Sequence, residues 1–490
     1  MTKAPAARRP PLAVVARSVL LSPFLVGSLA RVGVQLLAFG TIMVVAQHLD
    51  LERFGLFAFA SAAVVLLTTL LYTGFYEFVI RSADPDGDRD TTFWLLAAVG
   101  CLGGLAMGAA AAAAARWASD ALPWLFLGLA PVPVMAAPAA WSEALLIRVG
   151  RLRTVALVNL AAEALGFAVL VAALAADEGL GALVWARLSA SAAAMIVKMA
   201  LARAVPSLSV SRNSAARAVR AATPLYLTSL TNLFGNYGVD LVLGLVLSPA
   251  AVGAYRAGSR VANTGNDLVL RPMHAISWWR FAALERAGDR AGMRAAWLQQ
   301  TGFLAAVAWP AMAVLALYSR PLVELLLAPG WGAAAPVVAV LAGAHALGVL
   351  RALAAPALVC GGRPGLLVRV DLAAAALLLL LLLPLAAHGP VHAAAAQVAA
   401  RAVTVPVTLV LIAGNLAIPF RRIAAALAPG AALAAACTGL VLLLERVTPP
   451  WSASQLWIGL AAVAVLWGAA FAALLMARLV SLPEAGRLDG

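Results

Sequence analysis

"DLVLGLVLSPAAVGAYRAGSRVANTGNDLVLRPMHAISWW" (residues 240–279) decides how the rest of the chain is read. Long apolar runs flank it, yet it carries Asp240, Arg256, Arg260, Asp267, Arg271 and His274. Arg256, Arg260, Asn263, Asp267, Arg271 and His274 follow one another at spacings of 4, 3, 4, 4 and 3. That spacing puts all six on one face of an α-helix whose other faces are apolar or small. The stretch therefore reads as a hairpin of two helices that turns at Ser248-Pro249. A charge near the centre of a bilayer costs roughly 2.5–3.5 kcal/mol on insertion scales. A stripe of such groups must face a wet cavity or mutual partners, not lipid.

Composition sets the context for the hairpin. Of the 490 residues, 64% are hydrophobic and 11% charged, and the mean hydropathy is +0.95. A soluble chain is about a quarter charged, so this one reads as an all-α integral membrane protein. Apolar runs fall at 22–47, 55–80, 92–115, 121–147, 154–175, 179–203, 219–248, 251–279, 297–319, 333–358, 365–387, 391–414, 423–444 and 455–478. These predict about 14 transmembrane helices. The first 21 residues, with Lys3, Arg8, Arg9 and Arg17, form a basic tail rather than a cleavable leader. Cys101, Cys360 and Cys437 sit in apolar runs and read as buried small hydrophobes. No spacing suggests a metal centre, and no cofactor is expected.

The net charge of +14 would suggest nucleic acid in a soluble protein, but none is expected here. The basic residues instead collect in alternate loops: Arg148, Arg151 and Arg153; Arg203, Arg212, Arg217 and Arg220; Arg280, Arg286, Arg290 and Arg294; Arg351 and Arg363; Arg421 and Arg422. The intervening loops "HLDLER", "ADEGLG", "LSPAAV" and "HGPVH" nearly lack them. By the positive-inside rule the basic loops and both termini are cytoplasmic. The acidic loop "RSADPDGDRD" (81–90) fits this assignment poorly. All loops are short, which leaves no room for an extramembrane catalytic domain, and no enzymatic activity is expected.

"LDLERFGLFAFASAAV" (49–64) aligns with "LSPAAVGAYRAGSRVA" (247–262), setting Leu49, Gly55, Phe57 and Ser61 on Leu247, Gly253, Tyr255 and Ser259. Six helices separate the copies, so the repeat is parallel. The expected organisation is a tail at 1–21, a six-helix lobe at 22–204, a linker at 205–218, a second six-helix lobe at 219–415, and two peripheral helices with a tail at 416–490. Two such lobes imply a central cavity near the midplane.

Further polar residues fall inside spans. Asn232, Asn236 and Asp240 recur at spacing four; Arg31 and Gln35 share a face; Glu163 and Arg187 are mid-span; Gln397, Arg401 and Thr404 share a face. Mid-span arginine outnumbers mid-span acid. Arginine suits forked contacts with phosphate, so an anionic, phosphate-bearing cargo is expected. The substrate-binding candidates are Arg31, Arg187, Arg256, Arg260, Arg271, Arg401, Asn263 and His274. The acids Asp240, Glu163 and Asp267 are candidates for coupling to an ion or proton.

The pattern at Asn236, Asp240, Leu243 and Gly244, with "LSPAAVGAYRAGSRVA" and "AQHLDLERFGLFAFASAAV" (46–64), resembles Wzx-type polysaccharide flippases of the multidrug/oligosaccharidyl-lipid/polysaccharide exporter superfamily. The resemblance implies two six-helix lobes and transport of an undecaprenyl-diphosphate-linked sugar from the cytoplasmic to the periplasmic leaflet. It also implies a bacterial inner-membrane setting, membrane lipids as neighbours and other glycan-assembly proteins as partners. Arg31, Arg256, Arg260 and Arg271 stand where cargo-gripping arginines would, although Ala58 and Ala62 replace two of them in the first repeat. A multidrug-and-toxin-extrusion exporter is the alternative, but its usually cationic cargo calls for acids. A membrane polymerase or ligase would need a large external loop.

Overall fold

A computed structural model describes residues 23–82, 85–116, 121–447, 453–477 and 479–480. The basic tail and the last ten residues lie outside the described residues. All regular elements described are helical: α1 (Pro23–His48), α2 (Leu51–Leu71), α3 (Phe75–Arg81), α4 (Pro85–Ala114), α5 (Ala121–Leu129), α6 (Pro131–Arg148), α7 (Leu152–Ala175), α8 (Leu180–Ala202), α9 (Arg212–Val246), α10 (Pro249–Arg286), α11 (Arg290–Leu317) and α12 (Ser319–Leu326). A 3₁₀ turn (Pro329–Ala334) leads into α13 (Ala335–Val349), α14 (Ala354–Val359), α15 (Pro364–Ala386), α16 (Pro390–Leu416), α17 (Phe420–Val447) and α18 (Ala453–Met476). Each of the fourteen apolar runs carries helix. Twelve segments among the described residues are long and apolar enough to cross a membrane. The two helices of the opening hairpin, at 35 and 38 residues, are the longest among the described residues. At 1.5 Å per residue α10 extends over about 57 Å, well beyond a hydrocarbon core of about 30 Å.

Several predicted spans are broken, and the breaks have local causes. The run 55–80 is α2 and α3 joined through Gly74, whose φ is +64°. Only glycine adopts that conformation at little cost. A side chain there would also strike the Tyr226 ring. Arg148 caps the short α3 by donating from Nη1 to the carbonyls of Val79 (3.0 Å) and Ile80 (3.3 Å), the role expected of a cation at a helix C-terminus. The run 121–147 divides at Pro131, which opens α6 as an N-terminal proline should. Pro138, Pro310 and Pro406 lie inside helices.

The chain clusters into two compact units. One comprises the described residues up to Thr41, 67–113 and 126–226; the other comprises 42–66, 114–125 and the residues from Leu227 on. The first is centred on Leu71, Phe75, Leu96, Trp141, Ala218 and Ala222. The second has a core in which Phe281, Trp297, Leu304 and Leu358 are fully buried. Of the last two helices, α18 is the least buried candidate span among the described residues, with 11% of its apolar window buried, whereas α17 at 22% matches α1 and packs closely on α11, Gly302 against Ala426 and Gly430 against Ala305. Cys360 and Cys437 are buried as expected, whereas Cys101 is exposed, because it lies on the outer face of α4 beside exposed Leu102 and Leu105.

Within the second unit the two repeat motifs meet. A side chain at Gly55 would overlap the Pro249 carbonyl, and one at Gly253 would overlap that of Leu51. The contact is reciprocal: each motif's glycine receives the opening residues of the other. Trp331 closes over the pair, donating from its indole N–H to the Leu49 carbonyl (3.2 Å) and packing on Phe54 with ring centroids 5.1 Å apart.

The acidic loop that fits the charge rule poorly has a structural account. Asp88 accepts hydrogen bonds from Ser82 (2.6 Å) and Ser214 and an ion pair from Arg217 (2.6 Å). Asp90 accepts from Ser207 and Ser209, and Thr91 accepts from the Ser211 amide (3.0 Å). Trp94 donates to the Ser207 carbonyl (2.8 Å). These acids fasten the 203–211 connector and the start of α9 to the start of α4, within the first unit.

Candidate functional site

A cavity of about 430 Å³ lies within the first unit. α8 supplies Arg187, Ser191 and Lys198; α7 supplies Asn159 and Glu163; α2 and its break supply Thr68, Thr69, Tyr72 and Thr73. Tyr72 and Thr73 continue the face of Thr68 and Thr69 at the end of α2, just before the break at Gly74. Irregular backbone at membrane depth is tolerated where it borders a cavity, and discontinuous helices are where transporters commonly build their sites. Asn159 and Glu163 stand about 10 Å and 17 Å along α7 from Leu152 at 1.5 Å per residue, so the charged lining reaches well into the span.

Each cation of this cavity has a carboxylate partner. Arg187 Nη1 is 3.7 Å from Glu163 Oε1, with both side chains about two-fifths exposed. Lys198 Nζ lies 2.6 Å from Glu143 Oε2, and both are buried. Glu143 also accepts from the Tyr76 hydroxyl (3.0 Å), and the Lys198 ammonium sits 5.6 Å from the Tyr72 ring centre. The sequence reading selected Glu163 and Arg187 separately; the structure brings them together. Glu143 and Lys198 escaped it. Each is a lone charge near one end of an apolar run, where snorkelling is the ordinary explanation. The available signal was that the two charges are opposite.

The second unit holds the stripe. α10 is one continuous helix through Arg256, Arg260, Asn263, Asp267, Arg271 and His274, so the predicted common face is real. Asn263 is exposed, and Arg256, Arg260, Asp267 and His274 are half-buried. Arg256, Arg260 and Asp267 are all engaged with neighbours. The side chains of Arg271, Asp240, Asn232 and Asn236 lie outside the described residues. Arg31 is exposed on α1 and does not line the first unit's cavity.

Arg401 on α16 is held without a carboxylate among the described residues. Its Nη1 donates to the Ala344 carbonyl (2.6 Å) and lies 3.2 Å from His345 Nδ1. One turn earlier on the same face, Gln397 Nε2 donates to the Tyr255 hydroxyl (2.6 Å). Thr404, the third member of that face, is buried and returns its hydroxyl to the Ala400 carbonyl (2.8 Å). Asp371 on α15 pairs with Arg351, which leaves Arg401 the uncompensated cation of this group. His345 is buried, and its Nε2 has no hydrogen-bond partner among the described residues.

Fold and site define a many-helix membrane protein that keeps charged groups at membrane depth. A family model described as "Polysaccharide biosynthesis protein" matches residues 44–336, more than half of the chain, and the chain belongs to that family. No curated protein matches it. Among solved structures it is similar to a lipid II flippase, MurJ, in an inward closed conformation (TM-score 0.73, 10% identity, 92% of this chain and 99% of that one). It is also similar to a multidrug resistance transporter of the MATE family in the MOP superfamily. The inward-facing form of that transporter gives a TM-score of 0.61 (13% identity, 78% and 94% covered) and an outward-facing form 0.53 (13%, 83% and 95%). At these identities the likeness establishes the fold. The resemblance read from the sequence therefore holds for family and fold.

Proposed function

We propose that this chain is a flippase. It carries a polyprenyl-diphosphate-linked sugar or oligosaccharide from the cytoplasmic to the periplasmic leaflet of a bacterial inner membrane by alternating access, with both termini cytoplasmic. The observation that carries the reading is Arg401: a guanidinium inside an apolar helix, anchored by a backbone carbonyl and a histidine with no acid among the described residues. A cation left uncompensated inside a protein is costly and marks a functional group in a membrane. A diphosphate would supply the missing charge in forked geometry. Arg256, Arg260 and Arg271, with Asn263 and His274, complete the proposed grip, and Arg31 and Arg187 are further candidates. Membership of a polysaccharide biosynthesis family and a fold shared with a lipid II flippase support the same cargo class. A cationic drug is a poor match to Arg401.

The test is transport of fluorescent polyprenyl-diphosphate-saccharide in vesicles. Arg401→Gln should reduce the flipping rate by about tenfold or more, the equivalent of about 1.4 kcal/mol, with membrane insertion unchanged. Arg260→Ala and Arg271→Ala should behave alike. Full activity in all three variants would remove the phosphate grip.

Coupling is assigned to Glu163, Asp240 and Asp267. Glu163 has the best support, since its pairing with Arg187 at 3.7 Å lies on a cavity wall, where a proton or ion can reach it. Glu163→Gln should leave binding intact and abolish the response of flipping to an imposed proton or sodium gradient. A variant that still follows the gradient takes Glu163 out of the coupling role.

A further inference from the structure

We infer that His388 and His392, at the turn between α15 and α16, form a two-imidazole site for a divalent transition metal such as Zn²⁺ or Cu²⁺. The site goes beyond the flippase reading and does not depend on it.

The chain has five histidines, and two of them meet in "HGPVH" (388–392). Their ring centres are 5.7 Å apart, with the rings tilted by 49°. No single helix sets this spacing. His388 follows the end of α15, and His392 stands in the first turn of α16. Gly389 joins them at φ 118° and ψ 174°, a conformation essentially confined to glycine. Pro390 then opens α16. The turn thereby brings the second imidazole back beside the first. Both side chains are exposed, and His388 lies between two candidate spans, Pro364–Ala386 and Pro390–Leu416. The pair is thus at a membrane face, where a dissolved ion can reach it.

Hydrogen bonding fixes the tautomer of His388. Its Nδ1 lies 3.1 Å from the Pro384 carbonyl. A carbonyl oxygen only accepts, so Nδ1 carries the proton and Nε2 keeps its lone pair. Metal-ligating histidines have this arrangement, with the second ring nitrogen donating to a carbonyl or carboxylate. Two imidazoles sharing a tetrahedral ion through bonds of about 2.0–2.1 Å hold their ring centres about 5 Å apart. A small rotation of two exposed side chains closes the difference from 5.7 Å.

The surroundings tolerate a dication. No lysine or arginine lies between Asp371 and Arg401 in the sequence. The free carbonyls at the end of α15 offset the positive field of the α16 N-terminus. Among the described residues no group of three or more His, Cys, Asp or Glu could hold a metal, so water completes the coordination shell. Imidazole ligands select Zn²⁺, Cu²⁺ or Ni²⁺ over Mg²⁺ or Ca²⁺. His48 ends α1 with the same kind of bond, Nδ1 to the Val44 carbonyl (2.9 Å), but does not join the pair in a larger group. It therefore serves as the control.

The test uses the full chain, purified in detergent without a polyhistidine tag and titrated with Cu²⁺ and with Zn²⁺. Wild type should bind one equivalent of either ion, and the electron paramagnetic resonance spectrum of bound Cu²⁺ should show two nitrogen ligands. His388→Ala and His392→Ala, each checked for a wild-type melting curve without metal, should weaken binding at least tenfold and remove the two-nitrogen signature. His48→Ala should change neither, and excess Mg²⁺ should not displace the bound ion. A wild-type chain that binds neither ion, or a variant at 388 or 392 that binds as wild type does, overturns the site. Flipping enters none of these measurements, so failure of the site leaves the flippase reading untouched.

Discussion

Lys198 and Glu143 are 55 positions apart and meet at 2.6 Å. Burial of both charges makes the pair a poor contributor to stability as a unit and a severe liability when broken. Removing one partner of such a pair costs about 3–5 kcal/mol, whereas replacing both with apolar residues is often neutral. Lys198→Met should therefore destabilise the protein by about that amount, seen as a lower melting temperature in detergent. Lys198→Met with Glu143→Met should recover most of the loss, short of about 1–3 kcal/mol for the orphaned Tyr76 hydroxyl. Additive effects of the two substitutions would show that they do not interact. At this scale the sequence was informative about residue type and silent about partners. It exposed Glu163 and Arg187 as charges within apolar runs, but pairing depends on helix rotation and packing, which no local periodicity encodes. Arg401 was visible as a member of a polar face. That Ala344 and His345 hold it, and no acid among the described residues does, required the packed structure.

Helix by helix, the legible part was large, because each apolar run is long enough to enforce helix wherever water is absent. The breaks were not legible. Gly74 is one glycine among 39, and only its positive φ and the Tyr226 ring beneath it show that it interrupts a span. The repeat of the Gly55 and Gly253 turns was visible, whereas their mutual contact was not. On the topology and alternating-access mechanism proposed above, this contact lies on the outer side and has to part. Ala58 is buried beside it. In a background free of other cysteines, Ala58→Cys should react slowly with a membrane-impermeant maleimide added from outside. Trp331→Ala should speed that reaction about 5- to 30-fold, the equivalent of 1–2 kcal/mol, because the indole bridges Leu49 and Phe54. Unchanged labelling would show that Trp331 fills space without holding the contact closed.

For the molecule as a whole, the connector between the repeats bears the clearest tertiary signature. Ser207, Ser209, Ser214 and Arg217 converge on Asp88 and Asp90 from positions 117 to 129 residues away. Asp88→Ala with Asp90→Ala should release the connector and raise protease cleavage within 203–211, with the helices uncut, because exposed chain free of such bonds is where nicking concentrates. Resistance equal to wild type would show that packing alone holds it. Composition and the length of the apolar runs determined by themselves that this chain is a helical membrane protein, since a bilayer admits few other structures for so apolar a sequence. The 3.6-residue period determined which face of α10 is polar. Tertiary structure alone decided which charges neutralise one another, where a span breaks beside a cavity, and why an acidic loop sits on the basic side. Those outcomes depend on contacts between segments far apart in the chain, and the energy of a buried charge is set by its neighbours in space.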